Sequence, residues 1–205
     1  MRKSAIVEQI VLNKLVAVIR GKNVEEAVNI IEGAIEGGMK CIELTYTTPY
    51  VQDVFEKLRH TDAIIGAGTV LDSETARHAI LNGAKFIVSP NFNSAIATLC
   101  NRYSTPYFPG CMTITECVNA LESGCDILKI FPASQVEPSF IKAIQGPLPN
   151  VQMMPTGGIN MNNMNDWLQA GAVAVGVGSD LNKAYEKDGK RGVVETVQQY
   201  FKSLN

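Results

Sequence analysis

The chain has 205 residues, 46% of them hydrophobic and 19% charged, with a formal net charge of −2. That is enough chain for one domain with a sizeable core, and too apolar for a disordered segment. The near-neutral balance leaves no electrostatic footprint for nucleic acid or an acidic membrane, and no apolar run approaches the roughly 20 residues of a membrane span.

The first residues, Met1-Arg-Lys-Ser-Ala-Ile-Val-Glu8, lack the apolar core of a signal peptide, so a cytoplasmic protein is expected. Ile6, Val7, Ile10 and Val11 have helical spacing over 4–13, with Ser4 as the expected N-cap. Leu15–Arg20 is an apolar run of strand type, closed by Gly21. A helix follows to Gly37, its stripe made of Ala27, Ile30, Ile31, Ala34 and Ile35. Strand 40–45, helix 49–60 with Pro49 in its first turn, strand 63–68 and a helix capped by Asp72 come next.

The alternation continues through strand 84–89, helix 94–103, a short strand 106–109 and a helix from Thr113 or Thr115 to Ser123. Strand 126–130, helix 138–144, strand 151–155, a helix from Met161 or Asn162 to Ala170, strand 172–176 and a last helix over 192–204 complete it. Ser179-Asp-Leu181 would open a further short helix. Eight strands alternating with eight helices, spaced by about 20 to 25 residues, imply parallel strands with right-handed crossovers. Eight such units can close, so a (β/α)8 TIM barrel with an extra N-terminal helix is expected, as one domain over 1–205. The main rival is an open doubly wound sheet. No G-x-G-x-x-G opens a helix after the first strand, which weakens a dinucleotide-binding version.

The segment Cys125-Asp-Ile-Leu-Lys-Ile-Phe-Pro-Ala133 places a lysine inside an apolar strand. An ammonium is costly in a low-dielectric site, so a buried lysine loses its proton or finds a partner. A neutral lysine is an amine nucleophile that forms a Schiff base with a carbonyl substrate. Period-two alternation sets Ile127, Lys129 and Phe131 on one face, and Leu128 and Ile130 on the other. The plainer reading is a structural lysine paired with a carboxylate or reaching solvent.

In a barrel, chemistry collects at the C-terminal strand ends. There the first strand offers Arg20; the second offers Glu43, then Thr45 and Thr47 on the same face; the third offers Thr69. The sixth holds Lys129 and Phe131, the seventh ends Pro155-Thr-Gly-Gly158, and the eighth ends Gly176-Val-Gly-Ser179. Glu43 could be a structural counter-ion for Lys129, and Arg20 could simply pair with Glu43. A cation, a carboxylate and a lysine at three strand ends favour a catalytic set. The glycines at 157, 158 and 178, with Ser179, offer unobstructed backbone N–H groups where such barrels hold phosphate. Tight turns alone would also use them.

The cysteines at 41, 100, 111, 117 and 125 form no CxxC pair, so buried reduced thiols are expected and neither a metal site nor a disulfide framework. The two histidines, His60 and His78, fall on expected helices away from the strand ends, which weakens a metal-dependent reaction.

These pieces resemble the 2-keto-3-deoxy-6-phosphogluconate (KDPG) aldolases, also called 4-hydroxy-2-oxoglutarate aldolases. The likeness is carried by Val18-Ile-Arg20, Ile42-Glu-Leu-Thr45, Gly66-Ala-Gly-Thr-Val70, Phe86-Ile-Val-Ser-Pro90, Pro109-Gly110, Leu128-Lys-Ile-Phe-Pro132, Gly146-Pro147, Pro155-Thr-Gly-Gly158 and Gly176-Val-Gly-Ser179. The resemblance implies a (β/α)8 barrel, a homotrimer, a small-molecule 2-oxo acid substrate and class I aldolase chemistry without metal or cofactor. It implies that Lys129 forms the Schiff base and Glu43 is the general acid/base. It places Thr69, Phe131 and Thr156 at the pyruvate pocket and Gly157, Gly158 and Ser179 at the phosphate end. Arg20 matches an arginine at the end of the first strand. Some members carry an arginine where this chain has Thr47; here Arg20, backbone N–H groups or threonine hydroxyls would hold the carboxylate. Two other functions fit the same pattern: a phosphosugar isomerase or epimerase, and a non-catalytic sugar-phosphate-binding protein.

Overall fold

The computed structural model describes residues 2–204. Nine strands appear in chain order: β1 Leu15–Ile19, β2 Cys41–Thr45, β3 Ile64–Gly68, β4 Ile87–Val88, β5 Tyr107–Phe108, β6 Gly110–Cys111, β7 Ile127–Ile130, β8 Gln152–Pro155 and β9 Val175–Val177. The helices are α1 Lys3–Asn13, α2 Val24–Glu36, α3 Val51–Lys57, α4 Ser73–Leu81, α5 Ser94–Arg102, α6 Ile114–Glu122, α7 Ser139–Gln145, α8 Met164–Gln169 and α9 Ser179–Ser203. The fold is α/β, and every strand pair is parallel.

The strands form a six-stranded sheet, ordered β5-β4-β3-β2-β1-β9, and a three-stranded sheet, ordered β6-β7-β8. Only Pro109 separates β5 from β6, and its carbonyl accepts the Lys129 N–H at 2.8 Å. The strand expected over 106–109 is therefore two short pieces about a proline, which has no N–H to give a ladder. On the other side, Thr156 bridges to Gly176, and the Val173 N–H donates to the Met153 carbonyl at 3.0 Å.

Alternation along the strands builds two apolar layers. Leu15, Ala17 and Ile19 of β1, with Leu128 and Ile130 of β7, pack outward with the helices. Val16, Cys41, Phe86, Phe108, Ile127 and Met154, from both sheets, share an inner cluster with Ile6 and Ile10 of α1. The extra N-terminal helix thus covers the N-terminal ends of the strands. Lys3 ties it down, pairing with Asp126 at 2.8 Å and donating to the Gly124 carbonyl. Lys129 lies on the Ile127 face, inside.

Local chemistry sets most helix starts. Asn23, Asp72 and Asn93 accept backbone N–H bonds of the first turns of α2, α4 and α5, and Thr113 and Glu116 form a capping box on α6. Three starts differ from the sequence expectation. Helix α1 begins at Lys3, one residue before Ser4, and has no side-chain cap. Helix α3 begins at Val51, because Tyr50 takes a left-handed conformation (φ 52°) after Pro49. A turn of Asn160, Asn162 and Asn163 delays α8 to Met164. The short helix expected to open at Ser179 and the last helix expected over 192–204 are both present, joined as α9 across a break at Asp188 and Gly189 (φ 59°).

All five cysteines are reduced and buried. Burial pushes the Cys41, Cys100 and Cys125 thiols from 9.0 up to about 12. The folded chain therefore holds these protons where the unfolded chain releases them. Their contribution to stability is intact below about pH 9 and declines as pH rises toward about 12. Urea unfolding at about pH 8 and about pH 10.5 should show a lower midpoint at the higher pH, flattened when all three cysteines are replaced by alanine. The same slope in the replaced chain would contradict this.

Candidate active site

A cavity of about 670 Å³ opens at the C-terminal ends of the strands. At its floor the Lys129 Nζ lies 3.2 Å from the Glu43 Oε1. Lys129 is 5% exposed and Glu43 is 0% exposed. Strand alternation aims both inward: Lys129 from β7, beside Gly110 of β6, and Glu43 from β2, beside Gly66 of β3. Gly68 makes the space for the carboxylate, since a Cβ there would stand 2.2 Å from the Glu43 Oε1. The Phe131 ring closes over the amine, its centroid 5.0 Å from Nζ.

Two buried polar atoms of this cavity have no hydrogen-bond partner: the Glu43 Oε2 and the Thr156 Oγ1. Each costs about 1–3 kcal/mol if left dry, so both are places for a bound molecule or water to satisfy.

Arg20, Thr45, Thr69, Phe131, Thr156, Gly157, Gly158, Gly178 and Ser179 all border the cavity with Lys129 and Glu43. Thr47 does not; it is exposed, and its hydroxyl lies 3.0 Å from that of Thr45. Arg20 is exposed and forms no ion pair among the described residues, so the plainer alternative, a pairing with Glu43, is not formed. Val18, Pro90, Ile159 and Asn182 also border the cavity, and sequence reasoning did not single them out. Val18 could have been found by alternation, two residues before Arg20. Asn182 had no local signal: its Nδ2 donates to the Arg20 carbonyl at 2.7 Å, across 162 residues.

The far end is built from backbone. Gly157 and Gly158 have φ of 89° and 86°, a region L side chains rarely adopt, and a Cβ on Gly158 would stand 2.9 Å from the Ser134 Cβ. The Asn163 Nδ2 braces the turn through the Gly158 carbonyl at 2.9 Å. Beside it, Ser179 opens α9, whose first N–H groups lack intrahelical partners. Among the described residues, no group of three or more His, Cys, Asp or Glu is placed to hold a metal ion. His60 and His78 lie outside the cavity lining.

The family model described as KDPG and KHG aldolase matches residues 6–196. The chain belongs to this aldolase family. It is 34% identical over 174 residues to the 2-dehydro-3-deoxy-6-phosphogalactonate aldolase of Escherichia coli, covering 83% of this chain and 85% of that one. It is 35% identical over 158 residues to a 2-dehydro-3-deoxy-phosphogluconate aldolase of Treponema pallidum, covering 76% and 75%. Among solved structures, the KDPG aldolase of Legionella pneumophila, with pyruvate captured at low pH as a covalent carbinolamine intermediate, superposes with a TM-score of 0.86 at 29% identity, covering 97% of each chain.

The chain is thus a class I aldolase, a lyase that works through an imine. That chemistry makes the room left by Gly68 decisive. In Gly68→Ala the new methyl displaces the Glu43 carboxylate from Lys129. The variant should fold and lose about a hundredfold or more in turnover, the scale of a misplaced general acid/base. Near-wild-type turnover in a folded Gly68→Ala protein would show that the carboxylate's position does not matter.

Proposed function

We propose that this chain cleaves 2-keto-3-deoxy-6-phosphogluconate, or a close 4-hydroxy-2-oxo acid such as its C4 epimer or 4-hydroxy-2-oxoglutarate. The products are pyruvate and an aldehyde, glyceraldehyde 3-phosphate or glyoxylate. The observation that carries this is the Lys129–Glu43 pair, 3.2 Å apart and enclosed at the cavity floor. The named relatives act on the gluconate- and galactonate-derived acids, which differ at C4.

Lys129 is the amine within the cavity and Glu43 the acid/base beside it. Glu43 takes a proton from Lys129, and Nζ attacks the C2 ketone. Glu43 returns the proton to the carbinolamine hydroxyl, and water leaves to give a protonated imine. Glu43 then removes the C4 hydroxyl proton, directly or through a water. The C3–C4 bond breaks, its electron pair flows into the imine, and the aldehyde departs. The resulting enamine is protonated at C3, and water hydrolyses the imine to pyruvate and free Lys129. The unpartnered Glu43 Oε2 suits the step at C4, where a second carboxylate oxygen must meet substrate.

Thr69, Thr45 and Thr156 surround the reacting carbons in this reading, with the Phe131 ring as one wall. Thr47 acts through the Thr45 hydroxyl rather than by touching substrate. Gly157, Gly158, Gly178, Ser179 and Arg20 form the distal anion end.

The same reading takes the two sheets as one eight-stranded TIM barrel in a single domain. It is supported by the chain running through Pro109 on one side and the Thr156–Gly176 bridge on the other. A homotrimer in the cytoplasm, taking a small 2-oxo acid and no metal or cofactor, accords with the family. No helix among the described residues is long and apolar enough to cross a membrane.

Pyruvate release from the three candidate acids tests the proposal. Lys129→Met keeps the stem and removes the amine, and should abolish release. Glu43→Gln should slow it by about two to four orders of magnitude. Release that survives in folded Lys129→Met would overturn the assignment of the nucleophile.

A further inference from the structure

Arg20 is the cavity's cation apart from Lys129, and it stands without an ion pair among the described residues. Its neighbourhood makes that notable. Two residues on, Lys22 pairs with Glu186 of α9 at 2.7 Å. Asp180 puts a carboxylate on the first turn of α9, where its neighbours Ser179 and Asn182 border the cavity and it does not. Strands β1 and β9 leave the sheet side by side, with Ala17 paired to Val177. The Asn182 Nδ2 then ties that first turn to the Arg20 carbonyl at 2.7 Å.

Asp180 is engaged elsewhere. The Tyr200 hydroxyl donates to its Oδ2 at 2.8 Å. Tyr200 is wholly buried, on the far part of the same helix, beyond the break at Asp188 and Gly189. A buried tyrosine hydroxyl needs a partner, and the partner here is the carboxylate on the first turn of the helix whose Ser179 and Asn182 border the cavity. Left free, an acidic side chain on a first turn is drawn to the unpaired N–H groups of that turn and to any cation beside it.

We propose that Tyr200 is a positioning residue that holds the Asp180 carboxylate away from Arg20 and from the start of α9. The distal end of the cavity so keeps its positive potential for the phosphate of the substrate. This rests on the phosphorylated-substrate reading given above.

The test is pyruvate release from 2-keto-3-deoxy-6-phosphogluconate or its C4 epimer, whichever turns over faster, with melting curves as a check of folding. Tyr200→Phe should raise KM about three- to tenfold, the size of a helix-terminus charge effect, and leave kcat within about twofold. Asp180→Asn added to Tyr200→Phe should restore KM, since a neutral amide neither pairs with Arg20 nor repels phosphate. Asp180→Glu, whose longer carboxylate overreaches the Tyr200 hydroxyl, should raise KM in the same way and serves if Tyr200→Phe fails to fold. Arg20→Ala should raise KM and make Tyr200→Phe silent. An unchanged KM in folded Tyr200→Phe, or in Asp180→Glu, overturns this inference alone. So does a raised KM that Asp180→Asn leaves uncorrected. An unchanged KM in Arg20→Ala overturns the phosphate reading of this end, and the inference with it.

Discussion

The Lys129 Nζ and the Glu43 Oε1 face each other across 3.2 Å, from strands in different sheets and 86 residues apart in sequence. Both are almost fully buried, and the second oxygen of Glu43 has no partner. As a stabilising device this is poor: desolvating two charges costs several kcal/mol each, and an incompletely satisfied pair recovers that badly. A buried half-satisfied pair is better explained by chemistry than by stability. Much of the architecture serves it. Parallel strands bring the two side chains to one end, alternation turns both inward, and Gly68 clears the space the carboxylate fills. The inner apolar cluster and α1 close the opposite end.

In the proposed reading the cavity divides the recognition of substrate into two kinds of contact. Around the reacting carbons the available groups are threonine hydroxyls and an aromatic wall. At the distal end they are backbone N–H groups, a helix start and one arginine. In the proposed reaction the protonated imine is the electron sink as the C3–C4 bond breaks, with the Glu43 carboxylate beside it. A cationic distal end suits a phosphate, which carries more charge than the carboxylate of a shorter acid.

What could be read from the sequence was what is locally encoded. Lys129 stood out because a lysine interrupts an apolar strand, and period two alone assigned it to the Ile127 face, where it lies. The helix stop at Gly37 and the cap at Asp72 rest on residues within one turn. Glu43 and the Gly157–Gly158 turn were legible as strand-end residues. Other features depend on distant partners. Asn182 borders the cavity with its Nδ2 on the Arg20 carbonyl, a partner 162 residues away. Tyr200 reads as one more apolar residue of a helix until its hydroxyl is seen on Asp180. The helix opening at Ser179 was legible too; the charged segment 182–191, with no apolar stripe, hid that it runs on to the break at Asp188 and Gly189. Thr47 shares the Glu43 face by alternation, yet the chain turns after Thr45 and leaves it at the surface.

The central claim is that Lys129 forms the imine. The direct measurement is borohydride reduction in the presence of pyruvate, followed by intact mass and peptide mapping. The account predicts one reduced pyruvate adduct per chain, on the peptide carrying Lys129. No adduct from folded protein in excess pyruvate, or an adduct on a different lysine, would contradict it.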